Sequence, residues 1–300
     1  MAQLAEIEGR PLSITVAIPV RLGVMTGPSI AQIFNSASAD FDLVTPLVWG
    51  PAGEALVARA GISLGDKVLD ICSGTGASAL AAARAVGPDG HVTAVDFATD
   101  LVDRARTNAD AAGLSNIDFR VDDVTTLPGR LSTEYDVLTC GFGVFFLPDM
   151  DDAVRKLLTL LRPGGRLAVA VWHDDALRDF TGAYFAEVAR VKGDPPPPGP
   201  RAPSDGPPHP ITRIDTQEKI VGWLESLGAV DGSASVLELR VPRTDEFSWS
   251  MVLGSGLRGA LSGMDAETVA AVRAGFLRRL ARDGITEVDC DTLIAVARTP

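Results

Sequence analysis

Between residues 67 and 172 the chain alternates short apolar runs with amphipathic stretches, and this alternation restricts its fold more than any other feature. The runs 67–72, 91–96, 117–123, 135–142 and 166–172 are mostly continuous in apolar character, as expected of strands buried on both faces. The segments between them have helical periodicity. Met150, Ala153, Val154, Leu157, Leu158 and Leu161 recur at i, i+3, i+4, i+7, i+8 and i+11, so 150–161 presents one apolar face. Asp149 can cap its start, Asp151 and Asp152 suit the positive end of the helix dipole, and Arg162-Pro163-Gly164-Gly165 stops it. A second helix is expected over 99–112, with Leu101, Val102, Ala105, Ala109 and Ala112 on one side and Gly113 at its end. Five strands with helices between them predict an α/β fold built on a doubly wound, mostly parallel sheet.

The flanks read differently. Residues 28–60 are largely helical in pattern, and another helix is expected over 176–191. The stretch 193–210 holds nine prolines, which excludes regular structure and predicts a stiff, exposed loop. A helix over 216–227 ends at Gly228, a β-like run covers 235–241, helical sequence continues to about 283, and 292–298 reads as a last strand. The expected organisation is an N-terminal arm and helical cap over 1–60 and a ligand-binding core over 61–175. A helix and proline-rich insertion over 176–215 follows, and the rest of the core over 216–300 carries a helical insertion at about 244–283.

A formal net charge of −12 makes nucleic acid and anionic membrane surfaces unfavourable partners. No apolar run approaches the ~18 residues of a membrane span. The first residues carry Glu6 and Glu8 instead of a basic cluster, and the apolar stretch 14–20 is broken by Pro19, so no secretion signal is expected and a cytoplasmic location is. Cys72, Cys140 and Cys290 are odd in number and widely spaced, which suggests neither a disulfide framework nor a metal site. The 14–20 segment is a candidate for pairing two copies into a homodimer.

The chemistry begins at Val68-Leu69-Asp70-Ile71-Cys72-Ser73-Gly74-Thr75-Gly76-Ala77, where a strand enters a glycine-containing turn and a helix follows. The glycines let backbone approach a ligand, and the helix start offers free N–H groups. Twenty residues past Gly76 the second strand ends in Asp96, whose carboxylate can accept both hydroxyls of a ribose. Gly74-x-Gly76-x-x-Ala79 also fits a dinucleotide fingerprint, so a nicotinamide cofactor is a rival. Asp70 argues against it, because a carboxylate facing a pyrophosphate costs on the order of kcal/mol in a partly desolvated site. S-adenosylmethionine (SAM) presents an ammonium and a sulfonium instead. Asp123, or Asp122 beside it, can accept from an adenine amino group, and Gly141-Phe142-Gly143 again lets backbone come close to a ligand.

With these residues the segment from about 65 to 172 resembles the class I SAM-dependent methyltransferases, nearest the small-molecule branch that includes quinone-biosynthesis enzymes. Tyr135-Asp136-Val137 and Leu161-Arg162-Pro163-Gly164-Gly165-Arg166 match that family's later motifs. The resemblance implies a Rossmann-like, seven-stranded sheet with its last strand antiparallel and helical cap elements. It implies SAM as cofactor and S-adenosylhomocysteine as product. It would place Asp70, Gly74 and Gly76 around the methionine moiety, Asp96 and Phe97 at the ribose, Asp123 and Val124 at the adenine, and Gly141 and Phe142 by the sulfonium. Two departures stand out. Cys72 occupies a position often held by glycine, and Phe145 and Phe146 replace a polar pair found in the quinone enzymes.

Three histidines invite a base assignment. His91 opens the second strand at the far edge of the sheet and His209 lies in the proline-rich loop, where it is expected to be solvated. His173 follows the fifth strand and is the candidate catalytic base or substrate ligand, the plainer reading being a surface turn. Phe34, Phe41, Phe145 and Phe146, with Trp49 and Trp249, are candidates to wall a pocket for a flat or greasy small molecule, although for each one alone a core role is the simpler reading. Neither a Pro-Cys nucleophile nor an Asn/Asp-Pro-Pro-aromatic motif of nucleic-acid methylation is present. The expected reaction is in-line methyl transfer to an O, N or C nucleophile of a small aromatic or hydrophobic metabolite. A SAM-binding protein without transferase activity and an NAD(P)-dependent oxidoreductase are the alternatives.

Overall fold

A computed structural model describes residues 29–131, 134–195 and 209–300. The 14–20 segment and most of the proline-rich loop lie outside these residues.

In chain order the elements are α1 (Ile30–Val44), α2 (Trp49–Ala60), β1 (Lys67–Ile71), α3 (Ala77–Val86), β2 (His91–Asp96), α4 (Thr99–Ala111), β3 (Ile117–Val121), β4 (Tyr135–Gly141), α5 (Met150–Leu158), β5 (Leu161–Trp172), α6 (Arg178–Lys192), α7 (Gln217–Ser226), β6 (Val230–Leu237), β7 (Arg240–Pro242), α8 (Asp245–Leu253), α9 (Ala266–Arg282), β8 (Glu287–Asp289) and β9 (Thr292–Arg298). Local chemistry explains many boundaries. Ser29 and Gln32 form a reciprocal capping box at α1, while Asp149, Thr216, Thr244 and Asp265 cap α5, α7, α8 and α9 through their side chains. Gly61 and Gly193 take the left-handed conformation that closes α2 and α6.

Seven strands form one sheet in the order β3-β2-β1-β4-β5-β9-β6, and β9 runs antiparallel to both its neighbours. The order reverses between β1 and β4, so the crevice beyond their carboxyl ends is the ligand position of this architecture. Pleating sends alternate side chains to two cores. Val68, Ala94, Val137, Ala168 and Ala170 face α2 and α3, whereas Leu69, Leu138, Leu167 and Val169 pack with Val154, Leu157, Trp223 and Leu224 of α5 and α7. A third cluster joins Val44, Val48 and Trp49 to Phe180 and Tyr184 of α6, Met251 of α8 and Phe276 of α9.

Two expectations need adjustment. The helix expected to reach residue 161 stops at Leu158, because Leu161 already pairs with Tyr135 as β5 begins. The run 235–241 is two strands: β6 starts at Val230 and ends at Leu237, and β7 pairs separately with the short β8.

Candidate active site

The first strand carries Asp70 into the sheet beside Thr139 of β4. The Thr139 hydroxyl donates to Asp70 Oδ1 at 2.6 Å and the Ser78 hydroxyl donates to Oδ2 at 2.9 Å. Asp70 has no solvent exposure. Burial pushes its pKa up to about 7; the two hydroxyl bonds oppose that shift, and the nearby Asp96 charge adds to it. Asp70 thus has both carboxylate oxygens taken up by side chains of β4 and α3. It lies beneath the glycine turn and ties β4 to the first turn of α3, because residue 70 sits one register step inside the strand end.

Beyond β1 the backbone turns sharply. Cys72 has φ 52°, Gly74 φ 54° and Gly76 φ 95°, all left-handed. A Cβ on Gly76 would stand 2.5 Å from Leu80 Cδ1, and one on Gly74 would meet only Phe41 Cε1, 3.9 Å away. The turn is fastened by Asp96 at the end of β2. Asp96 Oδ2 accepts from the Gly74 N–H at 2.9 Å, and Oδ1 accepts from the Ala98 N–H at 2.9 Å. Burial raises the pKa of this 4% exposed carboxyl, and the backbone N–H bonds hold it back. Ser73 Oγ, buried in the same turn, has no hydrogen-bond partner. That residue escaped the sequence reading, although its place between Cys72 and Gly74 was the available signal.

The remaining predicted positions fall at the same sheet edge with unequal roles. Asp123 is exposed, and its Oδ1 accepts from Thr125 N–H at 2.9 Å, so it caps the one-turn helix Val124–Thr126. Asp122 pairs with Arg130 at 2.7 Å. Val124 is buried in the core on the α5 side. Gly141 ends β4, and Phe142 follows with φ 54°, its N–H donating to Ala170 O at 2.8 Å.

Rings close over this edge. Phe142 lies 4.4 Å from Trp172 and 5.2 Å from Trp49, centroid to centroid; Trp49 stacks on Phe41 at 5.5 Å. Phe34 adjoins Phe41, Phe97 and Phe146 at 6.1, 6.4 and 5.4 Å. Gly256 follows α8 and brings its backbone against this group, since a Cβ there would lie 3.3 Å from Phe146 Cζ. Phe145 touches this group through Phe146, 4.8 Å away, but the tight turn Val144–Phe146 sends it into the main core, where it also meets the His209 ring at 6.0 Å. Trp249 also points elsewhere, under the Arg273 guanidinium at 5.9 Å.

His173 sits past β5 with its Nδ1 3.1 Å from Asp174, and among the described residues no ring contact joins it to the aromatic group. His209 is not simply solvated. It is half-buried, its Nδ1 accepts from Ile211 N–H at 3.3 Å, and burial lowers its pKa.

Residues 68–165, roughly a third of the chain, match a family described as a methyltransferase domain. Among curated proteins, aklanonic acid methyltransferase DauC of Streptomyces sp. (strain C5) is 34% identical over 139 residues, which cover 46% of this chain and 63% of that protein. Ubiquinone/menaquinone biosynthesis C-methyltransferase UbiE of Pseudomonas putida is 31% identical over 162 residues, 52% of this chain and 63% of its own. The chain thus spans less than two thirds of the length of these relatives. Among solved structures, the [4+2]-cyclase SpnF matches with a TM-score of 0.56 at 18% identity, covering 91% of this chain and 98% of that one, a likeness of fold.

Proposed function

We propose that this chain, whose residues 68–165 are a methyltransferase domain, is a SAM-dependent methyltransferase acting on a small aromatic or hydrophobic acceptor. The observation that carries the reading is the Asp96–Gly74 link, which sets a buried carboxylate and an open glycine turn side by side at the crevice of the sheet. The turn suits the cofactor. Gly74 leaves its approach clear, the orphaned Ser73 hydroxyl offers a bond to a polar group, and the helix α3 start presents unpaired N–H groups to a carboxylate. Asp96, Phe97 and Asp123 line the nucleoside end in this reading, with Gly141 and Phe142 at the sulfonium end.

SAM, when bound, supplies an electrophilic methyl group on its sulfonium. The chain's own contribution is then alignment and exclusion of water, functions the rings of Phe34, Phe41, Phe142, Phe146 and Trp172 are suited to serve. DauC and UbiE are named for aklanonic acid and for ubiquinone/menaquinone biosynthesis, and by analogy the acceptor is an oxygen-bearing ring compound methylated at O or C. His173, just past β5 and partnered by Asp174, is the candidate to take a proton from a weak nucleophile.

Calorimetric titration with SAM, S-adenosylhomocysteine and NAD, repeated with Asp96→Ala, tests the cofactor. Micromolar binding of the two adenosyl compounds, weakened a hundredfold or more in the variant, is expected, with no NAD heat. Binding of NAD alone overturns the proposal. Transfer of a labelled methyl group to phenolic and polyketide-like acceptors then separates an enzyme from a SAM-binding protein.

A further inference from the structure

The aromatic group over the crevice contains a buried polar atom without a partner, the indole nitrogen of Trp49. Trp49 is 8% exposed, and its Nε1 is buried with no hydrogen-bond partner. The indole stacks on Phe41 at an interplanar angle of 24° and meets Phe142 and Trp172 at 66° and 56°. Phe41 rests over Gly74, and Phe142 follows the last residue of β4. Trp49 therefore stands where the glycine turn, the β4 end and the β5 end converge.

A buried N–H without a partner costs about 1–3 kcal/mol. Packing does not require the N–H, because a phenylalanine would supply an aromatic ring in the same apolar place without that cost. Buried indole N–H groups ordinarily find acceptors. The surroundings narrow what the acceptor is. Trp49 belongs to an apolar cluster with Val44, Val48 and Phe180, so a carboxylate or phosphate brought there would lose its hydration in apolar surroundings. A neutral carbonyl or a phenol oxygen on a flat ring system suffers no such loss and gains both the N–H bond and ring contact.

We infer that Trp49 is a substrate-selecting residue: its Nε1–H donates a hydrogen bond to a carbonyl or phenolic oxygen of a planar aromatic acceptor held beside Phe142 and Trp172. This deepens the methyltransferase reading and rests on it for the identity of the ligand as acceptor.

A pair of probes that differ in one oxygen tests it. Fluorenone and fluorene share a planar tricyclic frame, and only the former has a carbonyl. Equilibrium dialysis against protein loaded with S-adenosylhomocysteine should give fluorenone about tenfold tighter binding than fluorene, the effect of one hydrogen bond of about 1.4 kcal/mol. Trp49→Phe should abolish that preference while leaving S-adenosylhomocysteine affinity within twofold. In 15N-labelled wild-type protein, the indole N–H resonance missing from Trp49→Phe should move downfield with fluorenone and stay in place with fluorene. This second readout does not depend on the variant's stability. Equal binding of the two probes by the wild type overturns the inference, as does a preference that survives in Trp49→Phe, which would leave the N–H to the face of a neighbouring ring. A variant that loses S-adenosylhomocysteine but keeps the fluorenone preference overturns it too, by assigning the N–H to the cofactor. Failure of the wild type to bind S-adenosylhomocysteine is a different result, which removes the methyltransferase reading and not the donor.

Discussion

Cys72 and Gly143 show how tightly single residues are constrained around the crevice. Cys72 adopts φ 52°, a conformation costing about 1–2 kcal/mol for a residue with a Cβ. A Cβ on Gly143 would stand 2.4 Å from Cys72 Cβ and 2.9 Å from Cys140 Sγ. Gly143→Ala should therefore destabilise the chain by about 1–3 kcal/mol through overpacking, measured by urea unfolding. In a Cys72→Gly background much of that cost should disappear, since the obstructing side chain is gone; additive effects in the double-mutant cycle would refute the contact. Asp70 yields a prediction in pH. Its folded pKa of about 7 lies above the ordinary carboxyl value of 3.8, so below about pH 4 the group is protonated in both states and carries no penalty. As pH rises from about 4 to 7 the unfolded chain releases the proton while the folded chain keeps it, and stability falls; above 7 the loss is constant. Asp70→Asn removes this slope. Relative to wild type it should gain about 2–3 kcal/mol between pH 5 and pH 8, at 1.36 kcal/mol per pH unit over the part of that range below 7. Parallel denaturation curves at the two pH values decide it.

At the scale of elements, α1 is held over the site by polar ties more than by burial. Asn35 Oδ1 accepts from the Asp100 N–H at 2.9 Å, Asp42 pairs with Arg104 and accepts from Asn108 at 3.3 Å, and Asp40 meets Arg258 at 2.8 Å. Only Ala37 and Val44 of this helix are buried. Asp42→Ala should thus leave the melting temperature within a few degrees, since partly exposed ion pairs contribute about 0–1 kcal/mol. Amide exchange across α1 should accelerate severalfold while that of β1 and β4 does not change. Which elements could be read beforehand follows the same physics. β1, β2 and β9 announce themselves because strands buried on both faces need unbroken apolar runs, and α5 because its core face repeats with the helical period. Arg240–Pro242 and Glu287–Asp289 are three-residue strands with charge at one or both ends, so only their mutual pairing identifies them. In the site, the glycine turn and Asp96 are legible because their chemistry is local. The burial of Asp70, the turn of Phe145 into the core and the orphaned Ser73 and Trp49 groups depend on partners brought together by the fold, such as Thr139, 69 residues from Asp70, which no local pattern encodes.

At the scale of the whole molecule, the boundary suggested by sequence at residue 60 divides a core. α2 buries Trp49, Ala52, Gly53, Leu56, Val57 and Ala60, and Leu56, Val57 and Ala60 pack in one cluster with Val68 of β1, Ala82 of α3, Val137 of β4 and Ala168 of β5. The contact is close enough that a Cβ on Gly53 would meet the Ala77 carbonyl carbon at 2.9 Å, so α2 seats directly on the start of the helix that follows the glycine turn. α2 thus covers that face of the sheet together with α3, and of the two helices before β1 it is α1 that lies outside this layer. The two helices should respond differently to deletion. Of the described residues in 1–44 only Ala37 and Val44 are buried, and removing the stretch should leave a cooperatively folding protein with weakened ligand binding. Removing residues 1–60 strips Leu56 and Val57 from the sheet, and each large-to-small loss in such a core costs about 2–5 kcal/mol against a total stability of about 5–15 kcal/mol. That chain should not fold. Circular dichroism melts and gel filtration of the two truncations test the claim: a sharp transition and compact elution in the shorter deletion and none in the longer are expected. A longer deletion that still melts cooperatively would show that the sheet does not need α2, and the helix would then return to the cap.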